Sequence, residues 1–534
     1  MGPGKQEETS INILIDVQYI IEPRTISRLL NILEKPIVEK KKVLTLTVIP
    51  KTMAKKEEAA QQDGKLEVKK AENFAEWYLE IVQKTGLCDN RYPIKGMNVW
   101  SPYGWKIMSL IDGCIRAEME RTAHNEVCFP LLIPKTEFAK EAQHIKGFDA
   151  EVYWVTHAGT NKLDIPLLLR PTSETAMYPM LKLWIRSHAD LPLRTFQIVN
   201  TFRYETKQTR PFIRIREIHF FEAHTCHKDF EDAERQIKED LAIMEVVGKH
   251  ICVPYLVDKR PEWDKFPGAF YSLGADCLMP NGRALQIGTI HEYKENFSKP
   301  YEITYEAEDG AHKHVHQTTY GMSERLLGAV IGIHGDDKGL ILPPNIAPIQ
   351  VVVVPIFDKD SKEKVLGAAM KIADELRALK LRVHLDDRDM RPGAKFYHWE
   401  FLGVPLRIEL GPKDMAKGVV TIFRRDLGKK DARPDKDVVK DVTATLAQMN
   451  TDMFATAQEI LDHNVHEVNV PKDGAAHVGI VRMAWCGDEK CAKAMEEGSG
   501  KGVLGTSVLH EGKKGPCSVC GKETTSWVHL ANTY

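Results

Sequence analysis

The chain has 534 residues, 43% of them hydrophobic and 28% charged; at ~150 residues per domain this predicts three or four domains with sizeable cores. With 73 Lys and Arg against 75 Asp and Glu, the net charge is −2, which excludes a uniformly basic coat for nonspecific nucleic-acid binding and leaves room for a local basic face. No run of about 18 apolar residues appears, so no transmembrane helix is expected,. The polar start MGPGKQEETS, followed by an apolar stretch broken by Asp16 and Gln18, reads as an amphipathic element rather than a signal peptide, and HLANTY is not a standard targeting tag. Six of the ten cysteines (Cys88, Cys114, Cys128, Cys226, Cys252 and Cys277) are scattered, which suggests reduced thiols in a cytoplasmic protein.

In chain order, residues 1–68 read as an appendage of unassigned function. A helix-like stretch (Ile26, Leu29, Leu30, Leu33) leads into VLTLTVIP and then a charged linker,. The main body, 69–343, starts with a helix whose apolar face is Met108, Ile111, Ile115 and Met119,. NEVCFPLLIP follows as a strand interrupted at Pro130. VYWVTH, LLLRP, RTFQIVNTFRYE, RIREIHFFEAHT, ALQIGTIHEY, YEITYEA and HVHQTTY then predict a large antiparallel sheet, closed by the helix GMSERLLGAVIGIHG,. Pro343, Pro344 and Pro348 mark a linker. Over 344–450, VVVVPIF, LRVHLDD, LRIEL and VVTIFRR alternate with helices. One of these carries Val365, Ala369, Ile372, Leu376 and Leu379 on one side. The pattern is a compact α/β unit with a mainly parallel sheet. A helix over Asp435–His463 carries Val438, Val442, Leu446, Met449, Met453 and Ile460 in register, and 451–534 forms a last small unit. There, Cys486-x4-Cys491 and Cys517-x2-Cys520, 25 residues apart, match a four-thiolate zinc pattern, the alternative being four unrelated free thiols.

No GxxxxGK[ST] and no GxGxxG after a strand is present, so a phosphate grip would have to come from side chains, for which the arginine fork is suited. Arg203 and Glu205 in NTFRYE, Arg214 in the following loop and Arg325 in GMSERLLG form a suitable set. On an extended strand Arg203 and Glu205 share a face, either as a cation and an anion that grip a ligand or as an ion pair on a solvated sheet. Likewise PTSE, with Thr172, Ser173 and Glu174, is either a polar loop at a site or a helix N-cap.

In combination these signals change weight. Pro130 after a long helix, FRYE in a strand pair joined by an Arg-rich loop, and an Arg that opens an apolar helix resemble the three motifs of the class II aminoacyl-tRNA synthetases. The segments LLLRPTSETAMYP, NTFRYETKQTRPFIRIREIHFFEAHT, FPGAFYSLGADCLMPNGRALQIGTIHEYKENFSK, GMSERLLGAVIGIHGDDKGLILPP and DDRDMRPGAKFYHWEFLGVPLRIELGPKD resemble the prolyl-tRNA synthetases of the archaeal and eukaryotic type. The likeness runs from about Phe74 to Tyr534. It implies an α+β multidomain chain: a class II antiparallel-sheet catalytic domain, an α/β anticodon-binding domain and a small zinc-binding α+β C-terminal domain.

The implied activity is ligation of L-proline to tRNA(Pro). The carboxylate attacks the α-phosphorus of ATP, and the adenylate then transfers to a ribose hydroxyl; catalysis is positioning and charge stabilisation. By resemblance, Arg203 bridges α-phosphate and carboxylate, Glu205 meets the adenine amino group, and Arg214 and Arg325 hold the phosphates. Gln286, Thr289 and Ser323 complete the ATP site, and Mg2+ accompanies the polyphosphate. Thr172, Glu174 and His291 select proline, with Phe220 a wall of the ring slot. One methylene in such a slot is worth only ~1–3 kcal/mol, so some charging of cysteine or alanine is expected. No editing domain is expected between Glu222 and Ser323. Phe270 and Ile290 depart from the family's usual acidic and small polar residues.

In the α/β unit the resemblance points to Glu400, Arg407 and Lys413 as anticodon contacts, since exposed bases are read on their edges by charged groups. It points to structural zinc at the four clustered cysteines, where a closed shell of four thiolates leaves no open position. It also implies a homodimer with motif 1 at the interface, no membrane or DNA partner, and Tyr534 folded back toward the catalytic domain. A synthetase-derived binding or regulatory protein without catalysis is the alternative, but such proteins lose the gripping arginines or the amino-acid loop, and both are present here.

Overall fold

The computed structural model describes residues 65–141, 151–508 and 513–534; the elements expected before residue 65 lie outside the described residues. Helix α1 (Pro102–Arg121) begins at Ser101, whose hydroxyl accepts from the Gly104 amide at 3.2 Å, with Pro102 at the first helical position,. Its buried face includes Met108, Ile111, Ile115 and Met119, as the spacing predicts. Short strands Asn125–Glu126 and Leu132–Pro134 flank Pro130, which has no amide to continue a ladder.

Helix α2 (Glu174–Trp184) follows the PTSE loop. Then come β1 (Leu193–Phe202), β2 (Glu217–His227), α3 (Phe230–His250), β3 (Leu256–Lys259), β4 (Tyr271–Leu278), β5 (Arg283–Lys294), β6 (His316–Ser323) and α4 (Arg325–His334). Sequence reasoning assigned nothing to 230–250. The buried face of α3 includes Gln236 and Asp240, and these polar residues break the apolar stripe that would have announced a helix. Burial pushes the Asp240 carboxyl up to about 8, with Gln236 bonded to it at 2.9 Å, so it sits in the core uncharged near neutrality.

The α/β unit comprises β7 (Val351–Pro355), α5 (Lys362–Ala378), β8 (Val383–Leu385), α6 (Pro392–Phe401), β9 (Leu406–Leu410), β10 (Val419–Arg424) and β11 (Lys429–Pro434). Its sheet order is β8-β7-β9-β10-β11. The pairs β7–β8 and β7–β9 are parallel, whereas β9–β10 and β10–β11 are antiparallel. The expected mainly parallel sheet is therefore mixed, because the connection after β9, which holds only the short helix Pro412–Lys417, and that after β10 are too short for a crossover,. Leu379, expected on the apolar side of α5, caps that helix and is 53% exposed.

Helix α7 (Val438–His463) runs unbroken through residue 450. It buries Val438, Val442, Leu446, Met449 and Met453, but Leu461 in place of Ile460, which is 54% exposed. The last turn of the helix leaves the α/β core and sets Leu461 against Ala284, Ile480, Leu504 and Ala531, so its buried side turns there. The last unit holds β12 (Val465–Glu467), β13 (Ile480–Ala484), α8 (Glu489–Ser499), β14 (Gly502–Ser507) and β15 (Trp527–Thr533). Its strands join the catalytic sheet in the order β12-β13-β15-β14-β3-β4-β5-β6-β2-β1, with Asn125–Glu126 at the far edge.

One face of that sheet packs on α1, α3 and α4 through residues such as Phe221, Ala223, Leu285 and Tyr320. Period-two alternation then turns Phe220, Glu222 and His291 to the other face, where the candidate site lies.

Candidate active site

A cavity of about 400 Å³ opens on the free face of the sheet. All eleven residues expected at the amino-acid and ATP sites line it: Thr172, Glu174, Arg203, Glu205, Arg214, Phe220, Gln286, Thr289, His291, Ser323 and Arg325. Four separate segments supply them, which is why no contiguous motif reveals the whole site.

At the arginine end, β1 stops at Phe202, so Arg203 and Glu205 lie just beyond the strand rather than on it. The Glu205 amide donates to the Arg203 carbonyl at 2.8 Å. That tight turn, not strand alternation, carries both side chains to the cavity. Arg203 Nε donates to the Pro171 carbonyl at 3.1 Å. Arg214 donates to Glu205 Oε2 at 3.1 Å. Arg325 opens α4 and is fixed by bonds to the carbonyls of Ile213 at 2.8 Å and Gln286 at 3.1 Å. Burial, together with Arg214 and Arg203 nearby, lowers the Arg325 pKa. Two guanidinium groups within electrostatic reach of a third form a seat for a polyanion,. Beside them Glu324 keeps one carboxylate oxygen without a partner among the described residues, and burial pushes its carboxyl up to about 7.

At the other end, Glu174 is buried at the start of α2, accepts from the Thr172 hydroxyl and faces the Tyr293 hydroxyl at 3.4 Å. Ser173 donates to Glu222, which also accepts from Gln197 at 2.9 Å and pairs with His224 at 3.1 Å. Burial opposes the ionised carboxylate, yet His224, Ser173 and Gln197 hold the Glu222 pKa below its usual range,. The ring of Phe220 lies against Gly321, where a Cβ would stand 2.9 Å from it. Sequence reasoning missed the role of Glu222 and His224; their alternation with Phe220 along β2 was the available signal. It also missed Ser272, Phe266 and Arg260, which line the same end and sit in text without periodic signature.

His291 is clamped by Ser272 Oγ at 2.8 Å and Thr289 Oγ1 at 3.1 Å, and packs on Phe266 with ring centroids 4.7 Å apart. Burial, then His224 and Arg260, lower its pKa to about 3, so the ring is neutral at physiological pH. Between that value and the ordinary ~6.5 the unfolded chain binds a proton that the folded one refuses, so stability falls as pH drops through this window. At pH 5 the loss from this ring reaches about 2 kcal/mol. Thermal melts at pH 7 and pH 5 should show a larger decrease for the wild type than for His291→Gln; equal decreases would remove His291 as the titrating group.

The three expected anticodon contacts do not share one environment. Lys413 is exposed in the short helix after β9. Glu400 lies 3.5 Å from Lys338. Arg407 is buried, bonded to Glu409 at 2.9 Å and flanked by Phe396 and Phe423, each ring centroid 4.2 Å away. Its guanidinium is thus held by Glu409 between two aromatic rings.

Cys486, Cys491, Cys517 and Cys520 bring their Sγ atoms within 4.8 Å of one another, with Cys486 and Cys520 at 3.7 Å. A tetrahedron of about 2.3 Å Zn–S bonds has edges of about 3.8 Å, so the four thiols fit zinc with little movement. Tyr534 docks on the catalytic domain: its amide faces the Ala284 carbonyl at 3.3 Å, its hydroxyl Asn281 at 3.2 Å, and Arg210 lies 5.7 Å from its ring.

Three family models match the chain: the class II tRNA synthetase core domain (G, H, P, S and T) over residues 153–334, an anticodon binding domain over 350–445 and the prolyl-tRNA synthetase C-terminal domain over 473–534. A proline–tRNA ligase of Thermococcus kodakarensis is 56% identical over 473 residues, 87% of this chain and 98% of that protein. The chain belongs to the prolyl-tRNA synthetase family. Within this family, the proline–tRNA ligase of Methanothrix thermoacetophila is 50% identical, covering 90% of this chain and all of that one. The prolyl-tRNA synthetase of Giardia lamblia, solved in complex with prolyl-adenylate, superposes with a TM-score of 0.85 at 35% identity over 88% of this chain and 99% of that one. The synthetase fold expected from the sequence is the fold observed.

Proposed function

We propose that this chain is an active proline–tRNA ligase that condenses L-proline with ATP in the cavity above the sheet and transfers the prolyl group to tRNA(Pro). The observation that carries this reading is the convergence of all eleven expected side chains on one cavity, arginines at one end and buried carboxylates at the other. Arg203 holds the proline carboxylate and the α-phosphate together, which turns a bimolecular attack into a positioned one. Arg214 and Arg325 take the phosphates, while Glu205, Gln286, Thr289 and Ser323 line the nucleoside side. Mg2+, held mainly by the polyphosphate, offsets part of its charge. Glu174 and Thr172 accept from the secondary ammonium, neutral His291 closes the slot beside Phe220, and some cysteine or alanine enters it.

The surrounding assignments belong to the same reading: zinc held by the four clustered cysteines, the 344–450 unit against the anticodon, a homodimer through α1, and a cytoplasmic location. So does the division at 69–343, 344–450 and 451–534, with α7 crossing the last boundary. No helix among the described residues is long and apolar enough to cross a membrane.

The direct test is aminoacylation of a tRNA(Pro) transcript with labelled proline, ATP and Mg2+; no charging above a no-enzyme control would reject the proposal. A sharper one concerns Glu174. Charge-assisted hydrogen bonds contribute about 1.5–3 kcal/mol, so Glu174→Gln should raise KM for proline about 10- to 100-fold with KM for ATP nearly unchanged. Equal changes in both constants would remove Glu174 from the ammonium site.

A further inference from the structure

The buried side chain of Arg260 has no place in the chemistry above. The residue follows β3 and makes three bonds, one through its main chain and two through its guanidinium. Its amide donates to the Ser272 carbonyl at 2.8 Å. Nη2 donates to Asp276 at 2.7 Å, and Nη1 to the Leu504 carbonyl of β14 at 2.6 Å. The guanidinium lies flat on β4 over Gly274, where a Cβ would come within 2.1 Å of it; that glycine leaves the space the arginine fills. β14 itself is seated hard on β3, since a Cβ on Gly505 would meet the Lys259 carbonyl oxygen at 2.3 Å. Alongside, His529 of β15 bonds buried Asp258 of β3 at 2.7 Å.

From Arg260 the contacts continue to the amino-acid end of the cavity. Ser272, whose carbonyl accepts from the Arg260 main-chain amide and which lies two residues before the Gly274 that the guanidinium covers, uses its hydroxyl to accept from the Phe266 amide at 3.0 Å and to fix His291 Nδ1 at 2.8 Å. Phe266 in turn packs on that imidazole.

We infer that Arg260 is a positioning residue through which strand β14 of the C-terminal unit braces the Ser272–His291–Phe266 wall of the proline slot. This inference rests on the reading of the cavity as a proline site. The C-terminal unit thereby sets affinity for the amino acid without touching it.

The test is proline-dependent ATP–pyrophosphate exchange with the full-length protein, with KM measured separately for proline and ATP. Loss of a wall contact by loosened geometry typically costs about tenfold to a hundredfold. Arg260→Met should therefore raise KM for proline about tenfold or more with KM for ATP within twofold of wild type. Arg260→Lys, which can keep one of the two side-chain bonds, should fall between. Gly274→Ala leaves every charge in place but displaces the guanidinium, so it should reproduce the proline defect. Added to Arg260→Met, whose flexible side chain can move aside, it should cost little more, a non-additivity that a merely destabilised fold would not give.

Wild-type exchange with proline, combined with an unshifted proline KM in Arg260→Met and Gly274→Ala, would overturn the inference and leave the proline site standing. So would parallel shifts in both KM values. Absence of proline exchange in the wild type would sink the underlying reading and the inference with it. If Arg260→Met fails to fold, the Lys and Gly274→Ala variants decide the matter.

Discussion

Arg203→Ala should lower kcat/KM for proline-dependent pyrophosphate exchange by more than about 10³-fold, because removal of even one preorganised donor from a developing charge costs about 10²–10³-fold and this guanidinium serves both reactants. Its position supports so large a figure. It sits on the tight turn after β1, anchored through Nε to the Pro171 carbonyl, within electrostatic reach of Glu174, Glu205 and Glu222 and of Arg325. Burial lowers its pKa, so the fold tolerates a poorly solvated cation there, and a bound anion would relieve that cost. Arg203→Lys should recover little, since an ammonium cannot span two acceptors as a planar fork does. The melting temperature should change by only a few degrees, because a backbone contact is lost and a desolvated charge is removed with it. Near-normal exchange in Arg203→Ala would mean that the cavity binds its ligands in some other way.

The second large effect concerns the cysteine cluster. Cys491→Ser should abolish one equivalent of bound zinc and lower the first thermal transition by more than about 10 °C, as structural zinc contributes roughly 10–16 kcal/mol in small domains and a part of that here. The consequences reach further than the cluster. Cys491 lies in α8, next to β14, and Cys517 and Cys520 precede β15. Strands β14 and β15 pair with β3 and β5 of the catalytic sheet. Loosening them exposes the β3 edge and the Leu504 carbonyl that Arg260 uses. Chelator treatment of the wild type should give the same shift, and Cys128→Ser, at an exposed cysteine outside the cluster, should give none. Full zinc content in Cys491→Ser would dismiss the four-thiolate site.

Much of this molecule was readable from local pattern. The apolar face of α1 and the continuous apolar run of β7 declared themselves, because each has one dominant environment. Helix α3 did not, since Gln236 and Asp240 occupy its buried face and periodicity cannot tell a buried, neutral Asp240 from a solvated one. Ile460 and Leu379 failed for a different reason: Leu379 caps the end of its helix, and the last turn of α7 packs Leu461 into a second cluster with Ala284, Ile480, Leu504 and Ala531. At the site, Arg203 and Glu205 were found together, though for the wrong geometric cause, as the strand ends one residue earlier. The surroundings of Arg407 were likewise hidden: a cation on a strand looks solvated until Phe396, Phe423 and Glu409 close around it. The link from Leu504 through Arg260 to Ser272 is a matter of contacts between residues far apart in the chain, and nothing local announces it.

The central claim, a proline-activating site built on a sheet with arginines in place of a glycine loop, is tested most directly by ATP–pyrophosphate exchange across the twenty standard amino acids. Proline should drive exchange far above every other, with cysteine and alanine trailing it, and Arg203→Ala should return proline to background. A flat response across the panel, or a leading amino acid other than proline, would contradict the account.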